Sequence, residues 1–110
     1  MLMYFTNPFI DSKYIIENFI GRGGTSIIHK GLSENSQVTV KLVRKDKYKF
    51  TRTQEKEIIR KEWEVLSSID HHPNIVKLLD YNLEGVQVSG PEILDVSYCV
   101  FELYENGTIQ

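Results

Sequence analysis

An α+β domain, a five-stranded antiparallel sheet with one packed helix, is the fold this sequence predicts, and three observations predict it. Between Tyr14 and Val43, short runs rich in β-branched and aromatic residues alternate with glycine- and serine-containing turns, the pattern of consecutive strands. From Thr53 to Ile69 the composition changes to Glu, Lys, Gln and Arg with neither Gly nor Pro, which favours one long helix. Extended character then returns between Ile75 and Leu103.

Residues 1–13 read as a leader, broken by Pro8 and by the turn-forming pair Asp11-Ser12. Met1-Leu2-Met3-Tyr4-Phe5 is apolar, but Thr6-Asn7-Pro8 cuts it short, without the basic start and long apolar stretch of a signal peptide. The first strand is expected over Tyr14–Ile20, the turn over Gly21–Gly24, and the returning strand over Ser26–Leu32. Ser33-Glu34-Asn35-Ser36 is a polar turn into a third strand, Gln37–Val43. There Val38, Val40 and Leu42 share one face, and Thr39, Lys41 and Val43 the other.

Thr51-Arg52-Thr53-Gln54 has capping-box spacing and marks the helix start. Ile58, Ile59, Glu62, Val65, Leu66 and Ile69 fall near one face of that helix. Glu62 is the odd member, because a carboxylate inside an apolar stripe is costly unless it is paired. Either it sits at the edge of the stripe and reaches water, or a cation on another element meets it, with Lys41 the obvious candidate. Asp70-His71-His72-Pro73-Asn74 ends the helix and Ile75–Asp80 reads as the fourth strand. Gly85, Gly90 and Pro91 punctuate the next stretch, where the alternation Val86-Gln87-Val88 suggests that pairing continues outwards before turning back. Ser97–Leu103 is the fifth strand, and Glu105-Asn106-Gly107 a final turn.

At 110 residues the chain accommodates one small domain. A formal charge of −2 argues against non-specific nucleic-acid binding, and the basic run Arg44–Lys49 reads as a solvated loop. Cys99 is the single cysteine, so no internal disulfide forms and a reducing, cytoplasmic setting is expected. No run approaches membrane-spanning length.

The chemistry concentrates in Gly21-Arg22-Gly23-Gly24-Thr25-Ser26 and in Lys41. Glycines let backbone N–H groups approach a polyanion closely, and a lysine on the facing strand reaches the same phosphates as a point charge. The glycine-rich turn, the strand lysine, the helix glutamate, the His72-Pro73-Asn74-Ile75-Val76 turn and strand, and the segment after Phe101 follow one another in a familiar order. Together they resemble the N-terminal, ATP-binding lobe of a eukaryotic-type protein kinase, over residues 14–110.

That resemblance implies a site. Lys41 would pair with the α- and β-phosphates of ATP and Glu62 would orient it, the two catalytic positions; Glu64, the alternative, lies on a different helical face from Leu66 and Ile69. Gly21, Arg22, Gly23, Gly24, Thr25 and Ser26 would cover the phosphates, with Ser26 where the third glycine usually lies. Ile20 and Ile28 would roof the adenine, and Thr39 replaces the usual alanine beside it. Phe101 resembles the gatekeeper, while Glu102 and Tyr104 would offer main-chain groups to the adenine edge. Cys99 reads as a small buried hydrophobe, His29 as solvated, His72 as a structural pin and Trp63 as core or interface.

Two departures accompany the resemblance. The stretch 81–97 is long for the hairpin it should form, so an extended hairpin is expected. These 110 residues contain no His-Arg-Asp loop, Asp-Phe-Gly motif or Ala-Pro-Glu, so the second lobe and the ligands of the expected Mg2+ are expected to be missing and the chain alone is expected to be inactive. Within the resemblance, Pro73-Asn74-Ile75-Val76 and Glu102-Leu103 point to the Ser/Thr branch, and the family resemblance implies a protein hydroxyl as substrate. The alternative function is a non-catalytic docking module that binds another kinase or a scaffold.

Overall fold

The computed structural model describes residues 7–34, 36–45, 49–67 and 77–102. Its strands are β1 (Phe9–Ile10), β2 (Tyr14–Arg22), β3 (Ser26–Ser33), β4 (Ser36–Val43), β5 (Leu78–Ser89) and β6 (Glu92–Glu102), and helix α1 (Arg52–Ser67) lies between β4 and β5. The strands close a barrel in the order β1-β2-β3-β4-β6-β5, every pairing antiparallel.

The expectation of five strands is therefore corrected to six. The additional one is Phe9–Ile10, inside the stretch read as a leader. Asp11 and Ser12 both adopt positive φ (52° and 55°), and the Lys13 amide donates to the Ile10 carbonyl at 2.9 Å. That tight turn folds β1 back on β2, and Phe9 pairs with Ile15 on one side and Val88 on the other. A two-residue run is too short for alternation to show in the sequence.

Alternation sorts the side chains into two cores. Ile10, Tyr14, Ile16, Val38, Val40, Leu42, Val96, Tyr98 and Val100 fill the barrel. Val43, Cys99 and Phe101, on the opposite face of their strands, pack with Ile59 of the helix, flanked by Phe50, Ile58, Leu78 and Leu83. The helix thus lies outside the barrel, over β4, β5 and β6.

Helix α1 starts where the capping-box spacing places it. The Gln54 amide donates to Thr51 Oγ1 at 3.1 Å and the Thr51 amide to Gln54 Oε1 at 2.9 Å, so each satisfies an amide that the first turn would leave unpaired. Ile59 is wholly buried and Ile58 half-buried, as expected, but Val65 is 59% exposed. At 100° per residue Val65 stands well round from Ile59, so the buried stripe is narrower than predicted. It includes Glu55 instead, only 4% exposed. The expected end of the helix at Ile69 and the turn Asp70–Asn74 lie outside the described residues.

Strands β5 and β6 form one long hairpin, paired from Ser89 and Glu92 at its tip to Leu78 and Phe101 at its base. Gly90, at φ 58°, makes the turn with Pro91, a backbone state that L side chains rarely adopt.

Candidate functional site

Strand register builds the site as successive rungs across the sheet. Gly21 pairs with Ile28, Ile28 with Lys41, Lys41 with Cys99, and Cys99 with Tyr81, one continuous rung through β2, β3, β4, β6 and β5. Directly opposed residues share a face, so all five stand on the outer side of the barrel, where the helix packs. Two residues along, Lys30, Thr39, Phe101 and Leu78 form the next rung on that face.

The helix supplies the remaining group. Lys41 Nζ donates to Glu62 Oε1, forming an ion pair whose side chains are 20% and 33% exposed. Both sequence alternatives for Glu62 meet here: the carboxylate is paired and it also reaches water. Glu64 is exposed. The next residue, Trp63, stacks on Tyr81 with ring centroids 4.0 Å apart and an interplanar angle of 27°. Cys99 lies between these two contacts, fully buried. Burial pushes its thiol up to about 12, the Glu62 charge adds to the rise, and Lys41 partly opposes it. The expected small buried hydrophobe is what the structure contains.

The glycine turn is anchored to the end of β4. The Gly23 amide donates to the Ser26 carbonyl at 2.8 Å, the Arg44 amide to the Thr25 carbonyl at 2.8 Å, and Arg44 Nη1 to the Gly23 carbonyl at 3.0 Å. Gly21 and Arg22 are the last residues of β2, so the turn is shorter than the predicted Gly21–Gly24. None of Gly21, Gly23 and Gly24 has positive φ, and a Cβ added to any of them would meet nothing within 4 Å. Nothing in the described chain therefore requires glycine at these places.

The other predicted residues divide. Ile28 is half-buried, and Ser26, Thr39 and Phe101 are buried. Thr39, 3% exposed, finds no hydrogen-bond partner for its hydroxyl among the described residues. An unpaired buried hydroxyl costs about 1–3 kcal/mol unless something else satisfies it. Ile20 is exposed, at an irregularity in the β2–β3 register between Phe19 and Gly21. Thr25 and Arg22 are exposed too, and the Arg22 guanidinium lies over the Phe19 ring at 5.1 Å. The Glu102 amide donates to the Lys77 carbonyl at 3.0 Å. Tyr104 and His72 lie outside the described residues. His29 is half-buried against Phe19 rather than solvated, with Nδ1 3.3 Å from the Glu17 carbonyl oxygen.

A cavity of about 260 Å³ opens elsewhere, between the ends of β3 and β4 and the β5–β6 hairpin, walled by Ile27, Leu42, Leu94 and Val96. It includes none of the predicted site residues. Beside it lies a polar cluster that sequence reasoning missed. Glu55 is held by Arg52 at 2.7 Å and Lys45 at 3.5 Å, while Arg52 Nη2 and Ser97 Oγ both donate to the Leu83 carbonyl. Glu55 stands seven residues before Glu62, on the same helical face, and that period is the signal that could have found it.

Among the described residues no helix is long and apolar enough to cross a membrane, and no group of three or more His, Cys, Asp or Glu side chains is placed to hold a metal ion.

Comparison with known proteins points to a protein-kinase-like chain. No protein-family model matches the chain. A leucine-rich repeat receptor-like serine/threonine-protein kinase of Arabidopsis thaliana is 29% identical over 101 residues, covering 89% of this chain and 10% of that protein. Among solved structures, the autoinhibited serine kinase domain of the giant muscle protein titin superposes with a TM-score of 0.52 at 26% identity, over 84% of this chain and 24% of that one. The chain thus spans about a tenth of the curated relative and about a quarter of the solved kinase chain.

Proposed function

We propose that this protein-kinase-like chain binds ATP, holding the phosphates between the Gly21–Ser26 turn and Lys41 as the ATP-binding lobe of a Ser/Thr kinase would. The observation that carries the reading is the rung Gly21–Ile28–Lys41, with the helix carboxylate of Glu62 on the lysine amine. A lysine ammonium is a compact charge on a flexible stem, and the carboxylate holds that stem in one place before phosphate arrives. Phosphoryl transfer depends on positioning and charge neutralisation more than on covalent chemistry, and these residues supply both.

The glycines fit the group. Open space over Gly21, Gly23 and Gly24 leaves their backbone accessible to a polyanion that a side chain would hold away. The Thr39 hydroxyl, on the same face as Lys41 and next to the buried Phe101, has no hydrogen-bond partner among the described residues, which supports a ligand group there. ATP supplies the transferable phosphoryl group; the chain's own residues bind and orient it. The described residues hold no group of three or more His, Cys, Asp or Glu side chains placed for magnesium. A protein hydroxyl as acceptor and a reducing, cytoplasmic setting belong to the same reading, the latter in keeping with the single buried thiol.

Thermal unfolding with and without ATP, in the presence and absence of magnesium, tests the proposal. Ligand at a hundredfold its Kd stabilises by about 2.7 kcal/mol, enough for a clear upward shift. Lys41→Met should remove that shift. Gly23→Ala should leave the unliganded midpoint unchanged and diminish the ATP shift. No shift at any ATP concentration ends the reading, and an undiminished shift in Lys41→Met ends the site assignment.

A further inference from the structure

We propose that the Trp63–Tyr81 stack is a positioning device that holds Glu62 on Lys41, so that Tyr81, remote from the phosphates, controls whether the site is assembled. The proposal rests on the ATP-binding reading for its consequence, but not for its geometry.

Lys41, Cys99 and Tyr81 are register partners on three adjacent strands. Strand spacing puts the two ends of this trio about 10 Å apart, close to the diameter of a helix with its side chains. Helix α1 lies across it, with Glu62 meeting one end and Trp63 the other. Consecutive helical residues are about 100° apart, so these two point to opposite flanks of the contact. Ile59 falls between them on the helical wheel and is fully buried in the cluster of Val43, Cys99 and Phe101. The helix thus bears on the sheet through Ile59 and is restrained on both sides.

This arrangement couples the two contacts through one movement, rotation of the helix about its own axis. Turning α1 far enough to carry Glu62 off Lys41 also carries Trp63 off Tyr81. An ion pair reaching water is easily exchanged for hydration, whereas a stacked indole loses apolar contact when it moves. The stack is therefore the side of the pair that resists rotation, and the ion pair is what it protects.

The experiment compares Tyr81→Phe, which keeps the ring, with Tyr81→Ala and Tyr81→Leu, which do not, in wild-type and Glu62→Gln backgrounds. Two readouts are taken: the rate at which Lys41 is acylated by an amine reagent, followed by mass spectrometry, and ATP affinity by titration. Emission of Trp63, the chain's single tryptophan, reports loss of the stack directly. In Tyr81→Ala and Tyr81→Leu, Lys41 should be acylated several-fold faster and ATP bound about threefold to tenfold more weakly, the scale of one stacked pair. Tyr81→Phe should restore both. In the Glu62→Gln background the truncations should add nothing further. Unchanged acylation of Lys41 in folded Tyr81→Ala and Tyr81→Leu overturns the proposal, and so does full additivity with Glu62→Gln. Should wild type bind no ATP, the ATP reading fails while acylation still decides the positioning role.

Discussion

Tyr98 donates its hydroxyl to Asp11 Oδ2 at 2.6 Å, tying the turn that closes the barrel to a strand 87 residues further along the chain. Asn82 Nδ2 donates to the same oxygen at 2.9 Å and the Val86 amide to Oδ1 at 2.9 Å, while the Asp11 amide returns a bond to the Val86 carbonyl. Tyr14 repeats the arrangement nearby, donating to Asp80 Oδ2 at 2.7 Å with its ring edge-on to Tyr98.

This network makes stability depend on acid. Burial by itself would raise the Asp11 carboxyl, but the hydrogen bonds from Tyr98, Val86 and Asn82, with the Lys13 charge, outweigh it and hold the group below its ordinary range. A carboxyl lowered in the folded state contributes stability above its unfolded value, about 3.9, and loses it as pH falls through the folded one. The urea midpoint should therefore drop on acidification below about pH 4. Asp11→Asn should lower stability at pH 7 by about 1–3 kcal/mol and flatten that acid limb. An acid limb unchanged in Asp11→Asn would assign the effect to other carboxylates.

Gly85 is where the same network excludes a side chain. A Cβ there would stand 2.6 Å from Tyr98 Cε1 and 3.1 Å from Asp11 Oδ2. Tyr98 is fully buried and fixed through its hydroxyl, so the ring has nowhere to retreat. Gly85→Ala should destabilise by about 1–3 kcal/mol in denaturant titration, the usual range for overpacking. Gly24→Ala, whose Cβ enters open space, is the matched control and should be near neutral.

Alkali should act through Cys99. Its thiol is raised to about 12, so the stability it contributes is complete below the unfolded value of about 8.5 and declines as pH rises towards the folded one. Tyr14 and Tyr98 are raised as well, by burial and then by the aspartates they bond, and extend the decline above pH ~10. Iodoacetamide at pH 8 should leave Cys99 unmodified in the folded protein and alkylate it rapidly in urea. Cys99→Ala should lose the part of the alkaline slope that begins near pH ~8.5. Ready alkylation of folded protein would contradict the burial described.

The sequence made some of this readable and hid the rest for identifiable reasons. Thr51 and Gln54 announced the helix start because a capping box is a local pattern, satisfied within four residues. Lys41 could be placed on the face of Thr39 and Val43 by alternation alone, and Glu62 on the helix face by period. Register is another matter. Nothing local says that Cys99 stands between Lys41 and Tyr81, so the stacking partner of Trp63 stayed out of reach. Phe9–Ile10 is invisible as a strand because its reason for pairing is the two edges it meets, far apart in sequence. Glu55 was passed over because a carboxylate in a first helical turn is ordinarily a solvated complement to the helix dipole. Here Arg52 and Lys45 draw it inward.

Closure by a two-residue strand leaves the molecule with a seam. Without Phe9 and Ile10, the flanks of β2 and β5 that they cover would present unpaired amides and carbonyls, a ready template for another chain. Shortening the protein to begin at Tyr14 would thus expose adhesive borders as well as remove a few residues, and self-association would be the first symptom.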